Sequence, residues 1–277
     1  MSGTVCVSFD FDATSLWIAR GMASPGPLSR GEFGAVAVPR ILKLLSDCDV
    51  PATFYTPGQT ADSYPDLVRQ IADEGHELAL HGYCHEPVSN LTESQERDVM
   101  QRSADLLEKL TGHRPTGNRT PSWDFTDHTV ALALEIGLAY DSSLMGHDYL
   151  PYLARTGDQW STDGPYREGP TTNLLEIPVS WTLDDYPALE YLRTPQIVMP
   201  GLRRPAEVFA NWLDDVRYML EEFRDGVCVL TFHPQVIGRG HRMLALKHLL
   251  DELRGLGVQF SRVDEVAAAW RSGRHRD

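Results

Sequence analysis

The sequence predicts an α/β protein whose strands form a parallel sheet or barrel, folded as one domain over residues 1–277. Three observations carry this expectation. Short apolar runs of strand type alternate with stretches of helical period along nearly the whole chain. A length of 277 residues suits one large domain, or one barrel with insertions. No internal repeat, low-complexity stretch or linker divides the chain.

Residues 5–9, Val5-Cys6-Val7-Ser8-Phe9, form a short apolar run that predicts a buried strand. Residues 21–34 are rich in Gly, Pro and Ser and predict a long loop. Apolar residues at helical spacing (Val38, Ile41, Leu42, Leu45) predict a helix over 38–48. A second strand is expected at 52–55. A helix follows at 64–74, with Pro65 in its first turn and Gly75 just past its end. The third strand, 77–80, stops directly at His81. Thr92 and Gln95 have the spacing of a capping box for an amphipathic helix over 94–110, and Gly112 suits its stop. Further strands are expected at 116–119, 138–140, 174–179, 227–232 and 258–261. Helices are expected between them at 129–136, 205–223 and 243–256, and last at 263–270. Residues 148–172 read as irregular.

The hydrophobic share of 42% is ordinary for a globular chain able to bury a large core. A net charge of −14 argues against a nucleic-acid backbone or an anionic membrane as partner, because both need a basic face. The four cysteines form no CxxC pair, which excludes a zinc ribbon and a thioredoxin motif. No basic segment followed by an apolar one opens the sequence, and no apolar run reaches membrane-spanning length, so a reducing cytoplasm is expected.

Three strand-like runs end on reactive residues: Asp10-Phe11-Asp12, His81 and His233. Active sites of barrels and open α/β sheets are built at such ends. Asp10 and Asp12 are two apart, so continued strand geometry points both to one side. Two carboxylates so close repel each other and favour a cation beside them. His81 and His85 are four apart, and on a helical turn both imidazoles reach one ion. Two His and one carboxylate leave coordination positions open, as a catalytic metal site requires. Zinc is the default for this ligand set, and other first-row metals fit it. Each feature alone is ordinary, since acidic turns and paired histidines are common; their meeting at strand ends is what points to chemistry.

Ser8-Phe9-Asp10-Phe11-Asp12, His81-Gly82-Tyr83-Cys84-His85, Arg119-Thr120-Pro121-Ser122-Trp123 and Leu230-Thr231-Phe232-His233-Pro234 resemble, in family order, the motifs of the polysaccharide deacetylases, the NodB-homology or carbohydrate esterase 4 group. The resemblance implies a distorted (β/α) barrel of the NodB type and a metal-dependent hydrolysis of a C–N bond. It implies that Asp12, His81 and His85 hold one divalent metal, that Asp10 is the general base, and that His233 is the general acid. Arg119 would pair with the base carboxylate and orient it. Trp123 would line the pocket, with Tyr83, Trp181 and Asp184 as further substrate-binding candidates. A backbone N–H near Tyr83 or Trp123 would help to stabilise the oxyanion. Either Asp141 or Asp184 would support the acid histidine.

The first motif usually carries two adjacent aspartates, and here Phe11 separates them. The 21–34 segment and residues 176–186 resemble a cytoplasmic branch of the family. The branch includes Helicobacter-type peptidoglycan deacetylase-like proteins, allantoinase-like proteins and cyclic imide hydrolases. The implied substrate is an N-acetylated amino sugar or, alternatively, a small cyclic imide or allantoin-type ring; the branch also implies a homo-oligomer. A non-catalytic, metal-stabilised binding protein is the alternative outside enzymes.

Overall fold

The computed structural model describes residues 3–194 and 198–273. The main sheet opens with strands β1 (Thr4–Asp10), β2 (Ala52–Thr56), β3 (Glu77–Leu80), β4 (Gly117–Asn118), β5 (Tyr140–Asp141) and β6 (Tyr152–Arg155). A small antiparallel hairpin follows, β7 (Gln159–Ser161) with β8 (Gly164–Arg167). The chain then returns to the sheet as β9 (Thr171–Glu176). A second small pair, β10 (Leu192–Arg193) with β11 (Val198–Met199), precedes β12 (Val227–Phe232) and β13 (Gln259–Phe260). The order across the sheet is β12-β1-β2-β3-β4-β5-β9-β6. Only β6 runs antiparallel to its neighbour. β1 has β12 along one flank, and on the other β13 at its start and β2 at its end. The result is a curled half-barrel surrounded by helices, the distorted (β/α) barrel expected from the motifs.

Side chains along a strand point to opposite faces, and this period sorts the core into two layers. Val5, Val7 and Phe9 face outward, with Phe54, Leu230 and Phe232. They pack on three helices, Pro25–Cys48, Pro205–Glu222 and Gly240–Gly255. Cys6 faces the other way, into the barrel, with Tyr55, Ala79, Tyr140, Leu175 and Val229. Val263, Val266 and Ala267 of the last helix, Val263–Arg271, complete this inner cluster. A third cluster lies beneath the helix Glu93–Thr111. That helix starts at the expected capping box, Thr92 accepting from the Gln95 N–H while Gln95 Oε1 accepts from the Thr92 N–H.

Two segments depart from expectation. Residues 21–34 are not a long loop: the helix Pro25–Cys48 begins thirteen residues before 38. Pro25 stands in its first turn, where its missing N–H costs nothing. Of the glycines that suggested a loop, Gly31 is there for close packing. A Cβ on Gly31 would lie 2.5 Å from the Ala13 carbonyl oxygen. The helix therefore lies directly on the residue after Asp12. Residues 148–172 are not irregular either, since they contain β6, β7 and β8. Those strands are three or four residues long, and β7 and β8 are fully exposed, so no apolar alternation marks them.

Candidate active site

β1 ends at Asp10, yet the alternation continues past it. The Phe11 N–H donates to the Tyr55 carbonyl at 2.8 Å, and the Phe11 side chain joins the outer core. Asp10 and Asp12 thereby both face the cleft. The Asp12 carbonyl accepts from Thr60 Oγ1 and from Ser15 Oγ, each at 2.6 Å, which fixes the backbone that carries the carboxylate.

β3 delivers His81 one residue beyond its end. His81 Nδ1 lies 2.7 Å from the Arg119 carbonyl oxygen. A carbonyl only accepts, so Nδ1 carries the proton and Nε2 presents its lone pair. Nε2 stands 3.4 Å from Asp12 Oδ1. The two histidines do not lie on a helical turn, contrary to the expectation from their spacing. Residues 82–84 form a tight turn, with φ of +68° at Gly82 and +54° at His85. This turn aims His85 Nε2 at the same Asp12 oxygen, at 3.8 Å.

Asp12 Oδ1 is buried and has no hydrogen-bond partner among the described residues. Ligands held at about 2.0–2.1 Å around a tetrahedral ion sit roughly 3.3 Å apart. An orphaned carboxylate oxygen 3.4 and 3.8 Å from two imidazole nitrogens therefore fits a divalent cation. Burial pulls His85 down to about 4, which keeps its imidazole neutral at pH 7. His81 is opposed by burial but raised by Asp10 and Asp12. Burial works against the Asp12 charge too, yet the three surrounding histidines hold it well below the carboxylate range. The position attracts either a proton or a cation.

Arg119 follows β4 and is fully buried inside the barrel. Its Nη1 donates to Asp10 Oδ1 at 2.7 Å and to Ser8 Oγ at 3.0 Å, and its Nε donates to the Ser142 carbonyl at 2.9 Å. Its guanidinium stacks 3.9 Å from the centre of the Tyr55 ring. Below, the Tyr55 hydroxyl meets the Tyr140 hydroxyl, which donates to buried Glu77 at 2.7 Å. A row of polar interior side chains thus props the arginine from the barrel floor.

His233 Nε2 points at the carboxylates, 3.9 Å from Asp10 Oδ2 and 3.8 Å from Asp12 Oδ2. Its Nδ1 lies 2.9 Å from Asp185 Oδ1, and the same oxygen accepts the His233 backbone N–H at 3.1 Å. Burial lowers His233, but Asp184 and Asp185 outweigh it and push the imidazole up to about 10. Asp184, pushed up to about 7 by burial against the pull of His233, is 3.5 Å from the same Nδ1.

The support of His233 needs correcting. Asp185 holds Nδ1, while Asp184 lies farther off and lines the cleft. Asp141 is not part of the site; it accepts from Asn118 Nδ2 on the neighbouring strand. Tyr83 does not line the cleft. Its ring packs against Gly58 and beneath the Arg102 guanidinium, whose Nη2 donates to the Tyr83 hydroxyl at 2.6 Å. Nor are the suggested oxyanion donors free: the Tyr83 N–H donates to Glu86 Oε2 and the Trp123 N–H to the Thr120 carbonyl. Trp123 and Trp181 do line the cleft, with rings stacked 4.1 Å apart. Ser122 and Trp123 hold φ near +57°, a non-glycine strain of the kind that gathers at functional sites. Sequence reasoning missed Gln235, whose Nε2 donates to Asp12 Oδ2 at 3.3 Å, and Leu16 and Arg20 in the cleft wall. Gln235, two residues past His233, carried a readable signal; the other two lie four and eight residues beyond Asp12, outside the first motif. The cavity measures about 50 Å³.

Residues 26–140 match the family described as polysaccharide deacetylase. The peptidoglycan deacetylase of Helicobacter pylori is 34% identical, over 95% of this chain and 94% of its own. The chain belongs to the polysaccharide deacetylase family. A solved structure from Mycobacterium smegmatis, assigned as a polysaccharide deacetylase, superposes with a TM-score of 0.86 at 34% identity, covering 99% of this chain and 91% of the other. A solved allantoinase shares the fold, with a TM-score of 0.77 at 24% identity, covering 97% of this chain and 90% of its own. Metal-dependent hydrolysis of the C–N bond in N-acetyl groups is the general property of the polysaccharide deacetylase family, and this chain is a hydrolase of that class. Its family acts on polysaccharide or amino-sugar substrates. Among the described residues, no helix is long and apolar enough to cross a membrane.

Proposed function

We propose that Asp12, His81 and His85 hold one divalent cation, zinc by ligand type, and that Asp10 and His233 hydrolyse an amide C–N bond beside it. The observation that carries this reading is the unpartnered Asp12 oxygen facing two imidazole nitrogens, next to a carboxylate and an imidazolium. When bound, the cation supplies Lewis acidity to a carbonyl and acidifies water.

Arg119 occupies Asp10 Oδ1 and leaves Oδ2 facing the cleft. From there Asp10 takes a proton from the attacking water. His233, kept protonated by its two aspartates, gives a proton from Nε2 to the departing nitrogen. One water is consumed, the C–N bond breaks, and an acid and an amine leave. Trp123 and Trp181 form an aromatic wall for the acyl group or ring.

The reading takes the substrate as an N-acetylated amino sugar, the location as cytoplasmic and the assembly as a homo-oligomer. The narrowness of the cavity, against the roughly 300–1,000 Å³ of typical ligand pockets, favours a second reading: a small cyclic amide. Metal-loaded protein should be tested on chitooligosaccharides and peptidoglycan fragments, and in parallel on succinimide-type imides and allantoin. Acetate release from the sugars is the expected result. Turnover of the rings alone selects the second reading. Full metal occupancy with no hydrolysis of any compound would show a binding protein instead.

A further inference from the structure

At the cleft end of the sheet, four neighbouring strands present one polar side chain each, and the ladder sets them in a row. Asn118 of β4 pairs with Asp141 of β5, Asp141 with Glu176 of β9, and Glu176 with Tyr152 of β6. Leu175 points into the barrel, so Glu176 shares the outer face with Leu174 of the third cluster. Asp141 and Glu176 are both fully buried beside that apolar layer.

Each carboxyl is half satisfied. Asp141 Oδ2 accepts from Asn118 Nδ2 at 2.6 Å, and Glu176 Oε1 accepts the N–H groups of Ser143 and Leu144, both at 2.8 Å. Asp141 Oδ1 and Glu176 Oε2 are buried and have no hydrogen-bond partner among the described residues. Two ionised carboxylates side by side in such a place repel each other. Arg119 acts on both, but its donors go to Asp10, Ser8 and Ser142. Tyr152 is held neutral, its hydroxyl pushed up by burial first and then by Glu176. Burial pushes Asp141 up to about 6, and burial together with the Asp141 charge raises Glu176 well above the carboxylate range.

We infer that Asp141 and Glu176 share one proton, between Oδ1 and Oε2, and that the pair is a positioning element for the Asp10 base. One proton turns two orphaned acceptors into a donor and an acceptor and removes the repulsion. The bonded pair keeps Glu176 Oε1 on the Ser143 and Leu144 N–H groups. That segment carries what fixes Arg119. The Ser142 carbonyl accepts its Nε at 2.9 Å, Ser142 Oγ accepts its Nη2 at 3.3 Å, and Ser143 Oγ accepts the Thr120 N–H at 2.9 Å. Arg119 in turn holds Asp10 Oδ1. The shared proton stands on the row alone; its bearing on catalysis rests on the proposed reading of Asp10 as the base.

The test compares the full chain, as purified, with Glu176→Gln and Asp141→Asn, each of which puts an amide N–H where the shared proton lies. The native pair keeps a proton that the unfolded carboxyls release above about pH 4. Wild-type stability is therefore lost as pH rises from there through the value at which the pair ionises. Urea unfolding from pH 5 to pH 9 should show the wild-type folding constant falling roughly tenfold or more relative to both variants. Titrations common to the three proteins cancel in that difference. Wild type and variants that change in parallel overturn the shared proton. The positioning role is read from the Arg119 Nε–H resonance in protein labelled with nitrogen-15 arginine. Glu176→Asp, whose shorter acid is drawn back from Ser143 and Leu144, should displace that resonance, and Glu176→Gln should keep it in place. No displacement in Glu176→Asp, or an equal one in Glu176→Gln, overturns the role. Neither readout uses turnover, so failure here is separate from failure of the proposed chemistry.

Discussion

His233→Ala is expected to retain its metal and to lose roughly 10²–10⁴-fold in kcat, the usual worth of a positioned proton donor. The loss should fall on kcat because an amine leaves poorly without a proton. The metal should stay because His233 Nε2 lies 3.8 Å from Asp12 Oδ2 and is not one of the two imidazoles that converge on Asp12 Oδ1. The companion variant is Asp185→Asn. Burial lowers His233, and Asp184 and Asp185 raise it to about 10, so removing the Asp185 charge lowers the pH at which the acid loses its proton. A general acid works only while protonated. The alkaline limb of the kcat profile should therefore move to lower pH in Asp185→Asn, with the acid limb left in place. Steady-state kinetics across pH, with metal content measured on each sample, checks both. Full activity in His233→Ala would remove it from the mechanism.

Arg119→Leu should carry the largest stability cost. The arginine is fully buried and joins Asp10, Ser8 and Ser142 across three strand ends. Its removal leaves the Asp10 carboxylate buried without its partner, a change that typically costs about 3–5 kcal/mol. The midpoint of urea unfolding of metal-free protein measures it. Arg119→Lys should recover only part, because an ammonium cannot span Asp10 and the Ser142 carbonyl in one fixed geometry. An unchanged midpoint in Arg119→Leu would mean that the interior row from Glu77 to Asp10 does not support the site.

Much of this was legible because chemistry and period coincide in the sequence. The alternation that buries Val5, Val7 and Phe9 outward also turns Asp10 and Asp12 into the cleft, and Phe11 between them continues the outer core. The capping box at Thr92 and the strand ends at His81 and His233 were readable for the same local reasons. What escaped depends on tertiary contact. Gly31 looks like a loop residue until Ala13 is seen packed against it. The spacing of His81 and His85 suits a helix, but a left-handed turn brings them together instead. Asp184 and Asp185 are neighbours, and only the path of the chain past His233 decides which one reaches Nδ1. Tyr83 sits inside the second motif, yet Arg102 on a distant helix draws it away from the cleft.

The central claim is that Asp12, His81 and His85 share one catalytic cation. It is tested most directly by metal stoichiometry on chelator-stripped protein re-equilibrated with zinc, for the wild type and for Asp12→Ala, His81→Ala and His85→Ala. One equivalent per chain in the wild type, and its loss or marked weakening in all three variants while each stays folded, is the predicted result. One equivalent retained in the variants, or none bound by the wild type, would contradict the account.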